Sequence, residues 1–376
     1  MNFDLTDDQA MLKDSITKLL AGQYTFEQRK AHRAEPHGWS AAMWRQFAEM
    51  GLLMLPFAEE DGGLSLGEVE TMIVMEAFGQ ALVVEPYFAT VILAGGLIRH
   101  AANAEQRAEL VPAIGAGELR LAFAHGERNA RYDLAHVQTS ARPDGDLWRI
   151  DGDKSLVLHG DSAHKLIVSA RVSGARTDRD GIALFLIDAD APGVSRRSYE
   201  TQDGMRAAEV SFSGAHGRLI GEAGKALPII EQVVDEAVAA LCAEAVGVMA
   251  ESQALTLDYV KVRKQFGTAL SSFQVTQFKA AEMLVQLEMA RSMALLAIAM
   301  STSPDVDERQ GSVQAAKVQI GRSGRLIGQS AIQMYGGVGV TDEYKISHCF
   351  KRLTMIDKLF GDADYHLTKR AEALLG

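Results

Sequence analysis

The chain has 376 residues, of which 47% are hydrophobic, so it is long enough for two or three domains around a large core. Acidic residues outnumber basic ones by 49 to 38, and the basic residues are scattered, which excludes a nucleic-acid groove and a polybasic membrane patch. The two cysteines, Cys242 and Cys349, lie far apart, and the ten histidines show no zinc-type spacing. We therefore expect a cytoplasmic protein without metal chemistry or a disulfide framework.

The beginning of the chain, from Met1 to Asp8, carries acids where a secretory signal carries positive charge, so no targeting segment is expected. The apolar helical stretch 237–249 is interrupted by Glu244 and is shorter than the ~20 residues of a membrane span. No membrane span is expected either.

Residues 1–117 are predicted to form an N-terminal α-helical domain, and Thr6 is the predicted N-cap of its first helix. Residues 118–224 contain short β-forming runs separated by turn signals, which predict a small antiparallel β domain. These runs are 120–123, 137–140, 147–150, 166–170, 182–187 and 209–211.

Residues 225–376 return to long helical patterns over 227–262, 273–300 and 307–335, with Ser303-Pro304 separating the second from the third. About four helices packed as a bundle would bury their apolar stripes. The predicted fold is therefore α+β, with an N-terminal helical domain, a middle antiparallel β domain and a C-terminal four-helix bundle.

Two short motifs in the C-terminal part carry the functional signal. The first is Arg263-Lys264-Gln265-Phe266-Gly267, and the second, about seventy residues later, is Gln333-Met334-Tyr335-Gly336-Gly337-Val338-Gly339. Taken singly, the first could be a solvated helix end with a glycine cap and the second a helix stop. A Rossmann dinucleotide site is a weaker interpretation, because the second motif follows a helix rather than a strand.

Together, in this order and three-part layout, the motifs resemble those of the acyl-CoA dehydrogenase family, and the resemblance covers essentially the whole chain. It implies an FAD-dependent α,β-dehydrogenation of an acyl-CoA thioester in lipid metabolism. In that reaction a carboxylate removes the α-proton while the β-hydride passes to N5 of FAD. An electron-transferring flavoprotein is the usual acceptor of the electrons.

The resemblance also implies which residues contact the cofactor. Arg263 and Phe266 match residues that reach the pyrophosphate and flavin of the neighbouring subunit, and Gln333, Gly336 and Gly337 match the stretch along its adenosine diphosphate. An arginine fork suits a diphosphate, and glycines let backbone N–H groups approach closely. All five are predicted FAD-binding residues.

At the positions where a family member contacts the flavin bound in its own subunit, this chain has residues that differ from the family pattern. These positions hold Arg131 and Tyr132 for a Gly-Ser pair, Leu156 and Leu158 for an aromatic residue and a hydroxyl donor, and Phe360 and Ala237 at the two usual places of the catalytic glutamate. Leucine donates no hydrogen bond and phenylalanine takes no proton. Loss of a general base costs ~10²–10⁴-fold in rate.

Three acids are candidates for a relocated base. Asp362 lies two residues from the expected base, but it also suits the N-cap of a last helix. Glu236 adjoins the alternative base position, where a solvated helix face is the simpler interpretation. Glu244 interrupts an apolar face, where a buried carboxylate needs a partner or a raised pKa.

Three interpretations follow. In the first, the chain resembles the small, non-base-bearing subunits of bacterial hetero-oligomeric acyl-CoA dehydrogenases, such as those acting on pimeloyl-CoA or steroid side chains. It would then complete the FAD site of a homologous large subunit in a heterotetramer. In the second, it is a self-sufficient homo-oligomeric flavoenzyme that uses Asp362 or Glu244 as base. In the third, it is a scaffold without flavin.

Overall fold

The computed structural model describes residues 5–375, so the predictions made for Met1–Asp4 lie outside the described residues. The described residues form two compact units. Unit 1 contains the residues up to Lys30, Glu68–Val83 and the chain from Val238 onward, and unit 2 contains Ala31–Gly67 and Val84–Ala237. The predicted fold class is confirmed, because helices precede and follow a middle β region. The three predicted domain boundaries stay predictions.

The helices follow one another in chain order, with a π-helix at Phe88–Ala94 directly before the fifth. They are α1 (Asp7–Gln23), α2 (Phe26–Arg33), α3 (Ala41–Glu49), α4 (Glu68–Ala81), α5 (Gly95–Ala101), α6 (Ala104–Gly115), α7 (Leu227–Val262), α8 (Gln274–Met300), α9 (Val306–Tyr335), α10 (Lys345–Lys358) and α11 (Ala363–Leu375). The predicted N-cap of α1 is present as a capping box. The Thr6 side chain accepts from the Gln9 N–H at 3.2 Å, and the Gln9 side chain accepts from the Thr6 N–H at 3.0 Å.

Within unit 1, α4 and α7 approach each other at two glycines. A Cβ atom on Gly79 would lie 2.0 Å from the Glu244 carbonyl oxygen, and one on Gly247 would lie 1.9 Å from the Glu76 carbonyl oxygen. Helix backbones this close leave no room for any side chain. These two glycines therefore set the contact between α4 and α7.

Helix α8 packs against α9 and α4 in the same unit. It is 27 residues long, with a mean hydropathy of 1.5 over its most apolar stretch, so by length and composition alone it could cross a membrane. One such helix is weak evidence, because core helices of soluble proteins have the same composition. Its uncovered face carries large apolar side chains at helical spacing, namely Phe278, Val285, Met289 and Leu296.

Unit 2 is built around a seven-stranded sheet. Its strands are β1 (Leu121–Ala124), β2 (Ser140–Asp144), β3 (Leu147–Leu158), β4 (Lys165–Arg171), β5 (Ile182–Asp188), β6 (Val194–Glu200) and β7 (Arg206–Ile220). The strand order is β1-β4-β2-β3-β7-β5, with β6 paired to β7 and a further β4–β5 pairing that closes the ring. Pairings are antiparallel except that β4 runs parallel to β1 and β2, which differs from the all-antiparallel prediction.

The core of this sheet consists of alternate apolar residues from several strands, among them Ile150, Leu166, Val168, Phe185 and Val210. Strand β6 was missed by the sequence analysis. Its residues are mostly exposed and polar, so the sequence offers no apolar alternation to detect.

Candidate functional site

In unit 1, the first motif forms a tight hairpin. Strands β8 (Lys264–Gln265) and β9 (Thr268–Ala269) pair through a two-residue turn at Phe266 and Gly267. Both turn residues have positive φ angles, 55° and 82°, as a type I′ turn requires. The Phe266 side chain at the tip is 93% exposed. The segment is therefore a hairpin that presents an aromatic ring, not a glycine-capped helix end.

Arg263 connects α7 to this hairpin, and its backbone is fixed at both sides. Its N–H donates to the Tyr259 carbonyl at 2.9 Å, and its carbonyl accepts from the Leu270 N–H at 2.8 Å. The guanidinium is exposed and makes no hydrogen bond or ion pair with residues 5–375. Its five donors are available to an anionic group.

The second motif lies at the end of α9. Gly336 terminates the helix with a φ of 68°, a conformation that favours glycine. A Cβ atom on Gly336 or Gly337 would meet no heavy atom within 4 Å, so a ligand has open access to the backbone there. Gln333 is exposed one turn earlier.

Two stacked tyrosines bring the two motifs together. The rings of Tyr259 on α7 and Tyr335 on α9 lie 4.1 Å apart at an interplanar angle of 11°. The Tyr335 hydroxyl donates to the Leu255 carbonyl at 3.0 Å, and the Tyr259 hydroxyl to the Tyr335 carbonyl at 3.4 Å.

We call the resulting surface, formed by Arg263, Phe266, Gln333, Gly336 and Gly337, the lending surface. An unpaired guanidinium, open backbone and an exposed ring fit a flavin dinucleotide, so the residues present match FAD.

The usual base position holds Phe360, whose φ is 57°, between α10 and α11. This loop is held by Lys317, a fully buried lysine on α9. The three N–H groups of its ammonium are shared among four carbonyl oxygens that lie 2.7–3.1 Å from Nζ, those of Ile356, Asp357, Leu359 and Gly361. The loop is well supported, yet position 360 carries no carboxylate.

Asp362 acts as a helix cap, as the sequence analysis favoured. Its Oδ1 accepts from the Tyr365 N–H at 3.0 Å, and its Oδ2 accepts from Lys358 Nζ at 2.9 Å. The bond from the Tyr365 backbone and the bond from Lys358 lower the pKa of Asp362. A carboxylate with a lowered pKa is a weaker base.

Glu244 forms an ion pair and is not a free carboxylate that could act as a base. Its two carboxylate oxygens accept from Arg352 Nε at 2.6 Å and Nη2 at 2.7 Å, a bidentate bond between buried side chains. The partner was missed by the sequence analysis because Arg352 lies 108 residues away. The arginine explains how the apolar face tolerates a carboxylate.

In unit 2, Glu236 is also engaged. Its Oε2 accepts from Arg99 Nη2 at 2.8 Å, and its Oε1 lies 2.7 Å from His100 Nε2. Although burial opposes ionisation, the hydrogen bond from His100 and the charge of Arg99 lower the pKa of Glu236. The prediction from the sequence that Glu236 lies on a solvated helix face is wrong, because its side chain is buried. Ala237 is fully buried and offers no base.

The changed positions of the β domain lie on the segment after β1 and at the end of β3. Arg131 and Leu156 are exposed, both with positive φ angles, 52° and 51°. Leu156 sits at a register shift between β3 and β7, which is a β-bulge. Tyr132 and Leu158 are half-buried.

A buried polar network beside these positions was missed by the sequence analysis. The Lys154 ammonium donates to Glu127 Oε1 at 2.8 Å, the His125 carbonyl at 3.1 Å and Ser169 Oγ at 3.2 Å. Burial lowers the pKa of Lys154 to about 8, against the charge of Glu127. The predicted run 147–150 ends before Lys154, whereas β3 continues to Leu158, so the predicted strand offered no signal for a buried lysine at this position.

Comparison with known proteins gives one consistent family. Models of the acyl-CoA dehydrogenase N-terminal, middle and C-terminal domains match residues 6–118, 122–214 and 227–375. The probable acyl-CoA dehydrogenase YngJ of Bacillus subtilis (strain 168) is 26% identical over 95% of each chain. Among solved structures, a variant of the Tcur3481-Tcur3483 steroid ACAD has a TM-score of 0.88 and 28% identity over 98% of each chain. The ChsE4-ChsE5 complex from Mycobacterium tuberculosis has a TM-score of 0.87 and 21% identity over 100% of this chain and 99% of that one.

Proposed function

Because the chain belongs to the acyl-CoA dehydrogenase family, we propose that it is a subunit of a hetero-oligomeric acyl-CoA dehydrogenase that completes the FAD site of a partner. The partner carries the catalytic glutamate. FAD is the cofactor, and it supplies the hydride acceptor of the dehydrogenation. The proposed assembly is a heterotetramer of this chain with a homologous large subunit, located in the cytoplasm.

A single contrast between two sets of residues carries this proposal. The lending surface keeps its arginine, aromatic ring and open glycines, and all five of its residues are exposed. Phe360 and Ala237 stand at the two base positions, while Asp362 caps a helix and Glu244 is bound by Arg352. A chain with these properties can hold a neighbour's cofactor and has no placed base of its own.

Two further observations support a partner. The uncovered face of α8 carries Phe278, Val285, Met289 and Leu296, and an apolar helical stripe of this kind is typically covered by another helix. The similar structures Tcur3481-Tcur3483 and ChsE4-ChsE5 each bear two protein names, and we extend that two-component arrangement to this chain.

In the proposed assembly each residue has a distinct task. Arg263 holds the diphosphate of the partner's FAD with bidentate hydrogen bonds, and the backbone at Gly336 and Gly337 approaches the same dinucleotide. Phe266 packs on the flavin side, and Gln333 binds along the adenosine portion. The substrate is an acyl-CoA, and we propose an electron-transferring flavoprotein as the electron acceptor.

The test is the flavin stoichiometry of the chain alone and of the chain co-expressed with a homologous large subunit. We expect the lone chain to lack stoichiometric flavin and the complex to hold one FAD per heterodimer. One FAD per identical chain, with ordinary acyl-CoA oxidation by the lone protein, would refute the proposal.

A matched pair of variants tests the lending surface itself. Arg263→Gln should weaken FAD binding by the complex by about tenfold or more, because a charge-assisted hydrogen bond is worth roughly 1.5–3 kcal/mol. Arg142→Gln removes one exposed charge from unit 2 and should leave FAD binding unchanged. Equal effects of both variants would contradict the assignment of Arg263.

A further inference from the structure

Unit 2 contains a cavity of about 730 Å³ on the outer face of the sheet, within the size range of small-molecule sites. One wall is the sheet itself, where register pairs Ser211 of β7 with Asp153 and Ser195, and Glu209 with Arg197. The other wall is the segment between β1 and β2. Its lining there consists of Glu127, Arg128, Asn129, Gln138 and Thr139.

Each acidic side chain of this cavity already accepts at least one hydrogen bond from the chain. Glu127 accepts from Lys154 at 2.8 Å, from the Thr139 hydroxyl at 2.8 Å and from two backbone N–H groups. Asp153 accepts from the Ser211 hydroxyl at 2.6 Å. Glu209 accepts from the Tyr199 hydroxyl at 3.3 Å.

Several donors in the lining are uncommitted. Arg197 makes no ion pair or side-chain hydrogen bond with the described part of the chain, even though Glu209 lies opposite it in the register. Arg128 has one long contact, 3.5 Å to Glu209. The side chains of Asn129, Ser155 and Ser195 likewise have no hydrogen bond to residues 5–375.

Two guanidinium groups with unused donors complement an acceptor-rich ligand. Two arginines suit a phosphate, because the guanidinium fork binds phosphate oxygens in a bidentate manner. The volume exceeds what inorganic phosphate alone would fill. The lining has hydroxyl and amide groups and no aromatic ring, so it suits a hydroxylated carbon chain better than a nucleobase, which stacks on aromatic side chains.

We propose that this cavity binds a phosphate monoester of a small polyol, with Arg197 and Arg128 on the phosphate and Ser155, Ser195 and Asn129 on the hydroxyls. The site lies wholly within unit 2 and does not depend on the partner subunit. Arg128 and Asn129 share a loop with Arg131 and Tyr132, and Ser155 adjoins Leu156. The ligand therefore contacts the same chain segments that depart from the family pattern.

Isothermal titration calorimetry on the full chain, with excess FAD in every sample, tests the proposal with ribose 5-phosphate, ribose and inorganic phosphate. We expect saturable binding of ribose 5-phosphate that is at least about tenfold tighter than that of either fragment, since ribose lacks the charge-assisted bonds to the arginines and inorganic phosphate lacks the hydroxyl contacts. Arg197→Gln should weaken binding by about tenfold or more, because it removes charge-assisted bonds to the phosphate. Arg142→Gln, an equal change of charge outside the lining, should leave it unchanged.

Absence of saturable binding overturns the proposal, as does an equal loss in the Arg197 and Arg142 variants, which would indicate a nonspecific charge effect. Equal affinity for ribose overturns phosphate recognition. Equal affinity for inorganic phosphate overturns the polyol. Circular dichroism shows whether Arg197→Gln is folded. If it is not, ribose 5-phosphate binding is measured on Ser195→Ala instead, because this variant removes one hydroxyl without altering charge.

Discussion

Glu244→Gln separates a structural carboxylate from a relocated base. In the wild-type chain, Arg352 and Glu244 form two short bonds between buried side chains. The glutamine removes the negative charge and places an amide N–H₂ against a guanidinium, so the buried arginine loses its counter-charge. Removing one partner of a buried ion pair costs about 3–5 kcal/mol.

The expected change in melting temperature follows from chain length. An unfolding entropy of about 2.1 cal/mol/K per residue gives about 0.8 kcal/mol/K here, so the loss corresponds to about 4–6 °C. Differential scanning calorimetry measures this shift. Acyl-CoA oxidation by the chain, alone and co-expressed with the large subunit, is recorded at a temperature where the wild type and the variant are both folded. Glu282→Gln is the control, because Glu282 forms an exposed pair with Lys279 that is worth about 0.5 kcal/mol or less.

The double variant Glu244→Gln/Arg352→Met tests the cause of the loss. Removing the unpaired charge of Arg352 should recover part of the stability, because an uncompensated buried charge is what makes breaking a buried ion pair so costly. An unchanged melting temperature together with a strong loss of turnover in Glu244→Gln would refute the structural role and support the relocated base.

Three other predictions concern stability. Gly247→Ala should destabilise the chain by about 1–3 kcal/mol because its Cβ atom would overlap the Glu76 carbonyl, whereas Gly22→Ala, with open space around it, should be neutral or slightly stabilising; equal melting temperatures would contradict this. Burial lowers the pKa of His366 from 6.5 to about 4, so the unfolded chain binds the extra proton and stability falls as pH drops from 6.5 to about 4. Urea unfolding of His366→Gln should show a shallower fall over this range, and an identical slope would count against it. Lys317→Met leaves four carbonyls without their donor, so hydrogen exchange around Gly361 should accelerate by about tenfold relative to Lys369→Met; equal exchange would exclude the anchoring role.

Local periodicity predicted the long helices well. The predicted 227–262 coincides with α7, and the predicted starts of α8 and α9 lie within one residue of those observed. These segments repeat apolar residues over many turns, so the signal accumulates. Strand β6 carries no such signal, because its side chains face solvent and its pairing with β7 is a backbone property.

The sequence was enough to find the two motifs, but it did not predict which residues contact them or the candidate acids. The sequence placed Glu244 in apolar surroundings, yet it could not identify Arg352 as the partner, because that pairing depends on how α7 and α10 pack. The stack of Tyr259 on Tyr335 was also beyond reach for the same reason. The roles of the five lending-surface residues stay predictions.

For the proposed heterotetramer, the stacked tyrosines would affect both the rate and the entropic cost of assembly. Because they join the ends of α7 and α9 during folding, the chain loses the conformational entropy of that arrangement before any encounter. A binding surface that is already rigid loses little further freedom on association, which favours tight and rapid capture. Loosening the stack, for example with Tyr259→Ala, would thus slow assembly of a holo-complex without removing a single cofactor contact.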